Sequence, residues 1–331
     1  MVGLNTEGTE VGHGGARRLV WQLGVGLFFL LAGCTSEVHP PSYSFYHWET
    51  QLKVNDSLLH AHQADRLYIK AFDVSWEQGR AEPAAVLQTS DNTLAVVAVP
   101  IIFITNEVFQ HPADTLAEDI TALLDRSFPY PFAELQLDCD WTAGTRIAYF
   151  DFLTHLRELL PGKTISCTVR LHQYRDRAVQ GVPPVDRAVL MAYNTGELGR
   201  WETDNSIVDP RIISAYVKDQ PPYPLPLDLA VAVYDWAAVY RRGQLAYLIN
   251  EPDLAELADT ARFAALGPLR YQVERSTYYG GLYLYRGDLI RREVAGRDAA
   301  LRLADGLWPQ IAGVKSERII FYRMGSRQWA D

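Results

Sequence analysis

From about residue 42 onward, short apolar runs rich in β-branched and aromatic residues alternate with longer stretches whose apolar positions recur at helical spacing. The runs at 45–49, 66–76, 94–105, 134–141, 164–171, 188–194, 229–236 and 318–323 have the length and composition of strands. Helical periodicity fills 114–124, 146–160 and 298–310 between them, and Pro161-Gly162 stops the second of these. Eight strands alternating with helices predict an α/β protein whose economical form is a (β/α)8 TIM-type barrel, with a doubly wound open sheet as the alternative. Two stretches depart from that alternation. Residues 271–293 are dense in tyrosine, with Gly280-Gly281 and Arg286-Gly287-Asp288 as turn signals, and predict a small β-hairpin inserted after the seventh strand, overhanging the barrel mouth. Residues 204–226 end in Pro221, Pro222, Pro224 and Pro226 and read as a long ordered connection.

The N-terminus follows a different pattern. Arg17 and Arg18 precede an apolar run at 19–31 that is short for a bilayer span, and Ala32-Gly33-Cys34 follow, as in a secretory leader. Leu31-Ala32-Gly33-Cys34 resembles the lipobox of bacterial lipoproteins, which implies removal of 1–33, lipid modification of Cys34 and membrane anchoring. Thr35 in second place implies sorting to the outer membrane. The expected organisation is a leader at 1–33, a tether at 34–43 and one barrel domain at 44–331.

Residues 1–33 carry two basic residues and two acidic ones (Glu7, Glu10), so the remainder keeps the formal charge of -9. An acidic chain without a basic stripe excludes a nucleic-acid partner. Three cysteines imply no disulfide framework, and Cys139 and Cys167 read as buried thiols on two strands. Serine-hydrolase elbows, Walker loops, dinucleotide-binding glycine runs and zinc-protease spacing are all missing, so no cofactor or metal is expected.

The candidate chemistry lies in Leu135-Gln136-Leu137-Asp138-Cys139-Asp140-Trp141. Period-2 alternation projects Asp138 and Asp140 from one face at the C-terminal end of a strand, which in a parallel barrel is the catalytic end. Strand rise puts them about 6 to 7 Å apart, close enough for each to hinder ionisation of the other. The expectation is that Asp140, nearer the mouth, acts as acid, with Asp138 orienting it or stabilising positive charge at the reacting carbon. The competing expectation is a buried structural Asp138 paired to a neighbouring strand, Arg170 being a candidate partner.

Other strand ends supply further candidates. Arg170, His172 and Gln173 end the fifth strand, where a guanidinium suits an anion and an imidazole a proton. Tyr193 and Asn194 offer a hydroxyl and an amide. Glu49, Asp73 and Asp235 each end a strand and could supply a second carboxyl group. Trp141, Trp236 and Tyr322, with Trp48, Trp76 and Tyr234, could form stacking platforms or plain core.

Leu137-Asp138-Cys139-Asp140-Trp141 and Leu190-Met191-Ala192-Tyr193-Asn194 together resemble the fourth- and sixth-strand motifs of family 18 glycoside hydrolases, the chitinase-like barrels. In that family the fourth strand finishes with a proton-donating glutamate; here the position holds Thr142. Phe72-Asp73-Val74, the run at 100–105, the run at 169–173, the run at 181–187 and Met191-Ala192-Tyr193-Asn194 resemble a family of bacterial lipoproteins built on a domain of unknown function. These resemblances imply a lipid-anchored envelope protein whose barrel acts on or binds a carbohydrate with an altered acid/base arrangement. The alternative is a non-catalytic glycan-binding or envelope scaffold lipoprotein.

Overall fold

The computed structural model describes residues 40–330 except 91, 92, 312, 314 and 315; the expected leader and Cys34 lie outside the described residues. Eight parallel strands close a ring: β1 (Ser42–His47), β2 (Arg66–Glu77), β3 (Val97–Ile104), β4 (Glu134–Asp138), β5 (Thr164–Arg170), β6 (Arg187–Met191), β7 (Leu227–Ala232) and β8 (Arg318–Tyr322). Each pairs in parallel with its successor, and β1 pairs with both β2 and β8, so the sheet has no free edge within the ring. The fold is therefore a (β/α)8 TIM-type barrel.

Alternation within each strand divides its side chains between two cores. Leu135 and Leu137 of β4, with Ile165, Cys167 and Val169 of β5, point outward against the helices. Cys139 joins them, and both cysteines are buried free thiols. The helix Leu116–Ser127 buries Leu116, Ala117, Ile120 and Leu124, one stripe at helical spacing, and Arg146–Leu159 buries Tyr149, Phe152, Leu153 and Leu156 in the same way. Inside the ring lie Tyr46, Tyr68, Val99, Ile101, Val189, Ala230 and Ile320.

The N-terminal end of the ring is plugged by paired charge. Asp228 is fully buried, accepts from the backbone N–H groups of Glu317 (2.8 Å) and Arg318 (3.0 Å), and takes a further hydrogen bond from Arg187 Nη1 at 2.9 Å. Glu134 accepts from Ser166 Oγ at 2.7 Å on the same inward face. Every one of these acids has its partners in place, and this end of a barrel serves stability.

The connections are uneven. Among the described residues no helix lies between β2 and β3; the strand Arg80–Ala84 instead folds back antiparallel on the outer end of β2, outside the ring. The 204–226 connection contains a helix, Pro210–Val217, which Asp209 caps by accepting from Arg211 N while Pro210 occupies the first turn. The insertion after β7 lies where the sequence places it and is larger than a hairpin. It begins at Tyr234, because the chain leaves the ring after Ala232, and runs to Ala295.

Within the insertion, Leu289–Ala295 is the centre of a five-stranded antiparallel sheet, flanked by Tyr234–Arg241 and Arg270–Val273, with Gln244–Asn250 and Phe263–Gly267 at the two edges. A separate ribbon pairs Thr277–Tyr279 with Leu282–Leu284. Ala237, Val239, Ile249, Phe263, Val273, Tyr279 and Ile290 give this unit its own core. The stretch 271–293 thus contributes parts of several strands, which its sequence alone could not distinguish from one hairpin.

Candidate active site

The C-terminal ends of the barrel strands surround a cavity of about 410 Å³ lined by Trp48, Asp73, Phe103, Asp138, Asp140, Arg170, Met191, Tyr193, Asn194, Tyr234, Trp236, Asn250, Tyr322 and Arg323. Most of these are inward-facing residues by strand parity. Along β4 the inward set is Glu134, Gln136, Asp138 and then Asp140, rising from the plugged end to the mouth.

Asp138 is 6% exposed, and its Oδ1 accepts from Thr168 Oγ1 at 2.5 Å. Burial pushes its carboxyl up to about 6; the Thr168 hydrogen bond and the Arg170 charge work against that rise, and Asp140 and Asp73 add to it. Asp140, one step higher, is half-exposed and held by Arg170 in a fork, Nε to Oδ1 at 2.5 Å and Nη2 to Oδ2 at 2.6 Å. The partner expected for Asp138 therefore belongs to Asp140.

Asp73 reaches the cavity through a backbone irregularity. The β2–β3 register slips between Lys70 and Phe72, a one-residue bulge at Ala71. Without it, Lys70 and Asp73 would face opposite sides of the sheet; with it, Lys70 Nζ donates to Asp73 Oδ2 at 2.9 Å. Asp73 Oδ1 is buried without a hydrogen-bond partner. The Lys70 ammonium also lies 5.6 Å from the centre of the Trp48 ring.

Aromatic rings form the remaining wall. Tyr193 stacks on Tyr322 at 5.4 Å and 13°, Tyr234 meets Tyr322 edge-on at 5.6 Å, and Trp48 meets it at 5.6 Å. Tyr234 donates its hydroxyl to Asn194 Oδ1 at 2.8 Å. The insertion supplies Trp236 and fixes it: the indole Nε1 donates to Glu293 Oε2 at 2.8 Å, and the same carboxylate takes Ser206 N, Ser206 Oγ and, through Oε1, Arg291 Nε.

Five residues expected at the site lie elsewhere. Trp141 shares the outward parity of Leu137 and Cys139; it is fully buried, stacks on Tyr149 at 5.4 Å and donates Nε1 to the Gln180 carbonyl. Gln173, also fully buried, bridges the ends of two strands, accepting from Arg170 N at 2.7 Å and donating to the Trp141 carbonyl at 2.8 Å. His172 sits exposed on the short helix Leu171–Arg175, outside the lining; partial burial and Arg170 lower its imidazole below the ordinary value. Asp235 points away from its cavity-lining neighbours Tyr234 and Trp236 and is buried between Arg292, at 3.0 Å, and Arg327, at 3.1 Å. Glu49 is paired to Arg323, whose Nη2 also reaches Glu251 at 3.1 Å.

Phe103, Met191, Asn250 and Arg323 were not among the expected site residues, although Met191 stands in the motif at 190–194. Phe103 could have been found by counting parity from Ile101; Asn250 and Arg323 arrive through the insertion and the turn after β8, which leave no local signal. Among the described residues no three His, Cys, Asp or Glu side chains converge as a metal site, and no helix is long and apolar enough to cross a membrane.

The sequence matches no protein-family profile and no curated protein. Solved structures do match. The chitinase from Chromobacterium violaceum superposes with a TM-score of 0.52 at 11% identity, over 88% of this chain and 97% of the chitinase. The spore cortex-lytic enzyme SleL from Bacillus cereus gives 0.48 at 16% identity, over 86% of this chain and 71% of that one. At such identities the chitinase match establishes a shared barrel fold; activity has to be argued from the site.

Proposed function

We propose that the barrel mouth takes a carbohydrate chain and that Asp138 is the acid that acts on it. The observation carrying this reading is a buried carboxyl group facing a cavity walled by the rings of Trp48, Phe103, Tyr193, Tyr234, Trp236 and Tyr322. Sugar rings stack their C–H faces on aromatic rings while their hydroxyls take hydrogen bonds, and this wall offers both. Asp138 is favoured over Asp140 because both oxygens of Asp140 are occupied by Arg170, whereas Asp138 has a single hydrogen-bond partner and a raised carboxyl. Thr142 stands where the resembling family has its donor and lies outside the cavity lining, which supports the reading that the acid/base arrangement differs from that of family 18.

The test is to incubate the domain that follows Cys34 with chito-oligosaccharides, other oligosaccharides and peptidoglycan fragments, reading products by mass spectrometry beside Asp138→Asn. New fragments that vanish in the variant support the reading. Fragments produced equally by Asp138→Asn remove its role. A second reading, glycan binding without turnover, is favoured by Thr142 and by the locked Asp140, and it predicts saturable binding with no products.

We also propose that the chain is an exported lipoprotein of the cell envelope, anchored through Cys34 and sorted to the outer membrane. The lipobox-like Leu31-Ala32-Gly33-Cys34 supports this. Incorporation of labelled palmitate that is lost in Cys34→Ser is the expected result; equal labelling of both proteins overturns it.

A further inference from the structure

We propose that Asp73 is the second carboxylate of the reaction, taking a proton from water while Asp138 protonates the glycosidic oxygen, so that the first-formed product has the inverted anomeric configuration. This rests on the reading that the mouth cleaves a glycan, and it adds the partner acid and the stereochemistry.

Elimination and geometry lead to it together. Of the strand-end carboxylates, Glu49 and Asp235 are paired to arginines and stand outside the cavity lining, and Asp140 is taken by both donors of Arg170. Asp73 lines the cavity, has one ammonium partner on Oδ2 and has a buried Oδ1 with no hydrogen bond, which a water in the mouth must reach to be activated.

Its position relative to Asp138 is fixed by strand register. Asp73 of β2 is level with Phe103 of β3, and Phe103 is level with Asp138 of β4. The two acids therefore stand at the same height, two strands apart, with the Phe103 side chain between them. Two inter-strand spacings amount to about 10 Å along the sheet. Both side chains point into a closed ring, so their carboxyl groups converge from that backbone separation toward the roughly 6.5–9.5 Å that leaves room for a water, rather than the roughly 5 Å of a covalent mechanism. The Ala71 bulge is what makes this possible, since it turns Asp73 inward on a strand that already presents Lys70.

The step balances with water as the co-reactant. Asp138 gives its proton to the glycosidic oxygen as the bond from that oxygen to the anomeric carbon breaks, and the electron pair leaves with the oxygen. Water oxygen bonds to the anomeric carbon from the opposite side and loses a proton to Asp73. Asp138 ends as carboxylate and Asp73 as acid, and exchange with solvent restores both. Lys70 is a positioning residue that holds Asp73 through Oδ2.

The experiment follows the anomeric proton by NMR during the first minutes of cleavage of whichever chito-oligosaccharide or peptidoglycan fragment the protein cuts. It is repeated for Asp73→Asn and for Asp73→Ala with sodium azide, with thermal melts verifying that each variant folds. The expected results are an inverted first product, a rate loss of about 100-fold or more in Asp73→Asn, and recovery of Asp73→Ala by azide with an inverted glycosyl azide as product. A retained anomer, or wild-type rates in folded Asp73→Asn, overturns the pairing while leaving the hydrolase reading in place. No cleavage by the wild type overturns that reading and the pairing with it.

Discussion

Arg170 closes on Asp140 through two parallel hydrogen bonds, at 2.5 and 2.6 Å, and this single contact sorts two acids on one face into different tasks. Asp140 becomes the anchor of a cation at the mouth. Asp138, two residues earlier on the same face, keeps a carboxyl raised by burial to about 6.

Breaking the fork should therefore move the titration of Asp138. Arg170→Gln removes a positive charge that lowers the Asp138 carboxyl and leaves the negative Asp140, which raises it, without its partner. If Asp138 must be protonated to act, the alkaline limb of the kcat/KM profile falls near pH 6 in the wild type and shifts to higher pH in Arg170→Gln. A limb that stays in place in the variant would show that another group sets it.

The same carboxyl makes a prediction for stability. Its folded value lies above the ordinary Asp value of 3.8, so between about pH 4 and 6 the folded state binds more protons than the unfolded one. Stability contributed by this group is present below that window and is lost as pH rises through it. Asp138→Asn should abolish that loss and gain on the order of 2 kcal/mol relative to wild type at pH 7.5 over pH 4. Urea melts at the two pH values check it.

Trp141 and Trp48 give a paired test of parity. Trp141 faces the helices and is fully buried, so Trp141→Ala should cost about 3 to 5 kcal/mol of stability. Trp48 faces the cavity, so Trp48→Ala should weaken ligand binding by more than about tenfold, the loss of one stacking platform, with a smaller effect on stability. Thermal melts and ligand titrations of both variants separate the two roles.

Glu293 couples the insertion to the mouth. It is 1% exposed and holds Arg291, Ser206 and the Trp236 indole at once. Glu293→Ala leaves Arg291 buried without its counter-charge, for an expected cost of about 3 to 5 kcal/mol. Glu293→Gln, which keeps an acceptor for Trp236, should retain more ligand affinity than the alanine variant. Equal affinities would uncouple Trp236 from this network.

The barrel was legible because each strand carries its own apolar run, and the position of the insertion because the tyrosine-rich stretch interrupts the alternation. The insertion's size was hidden, since residues 229–236 read as one strand although the chain leaves the ring between Ala232 and Tyr234. At the site, counting by twos correctly put Asp138 and Asp140 on one face. The same count, carried one residue further, assigns Trp141 to the outer core. Asp73 faces the cavity through a bulge that no residue in Lys70-Ala71-Phe72 announces. Arg323 and Asn250 are brought in by long-range packing, which local pattern cannot carry.

The most direct test of the central claim is calorimetric titration of Asp138→Asn with chito-oligosaccharides and soluble peptidoglycan glycan strands, repeated in the Trp48→Ala and Trp236→Ala backgrounds. The account predicts saturable binding of at least one glycan that either tryptophan change weakens by more than about tenfold. Binding that survives both tryptophan changes, or no binding of any glycan by a folded protein, would contradict a carbohydrate site at the barrel mouth.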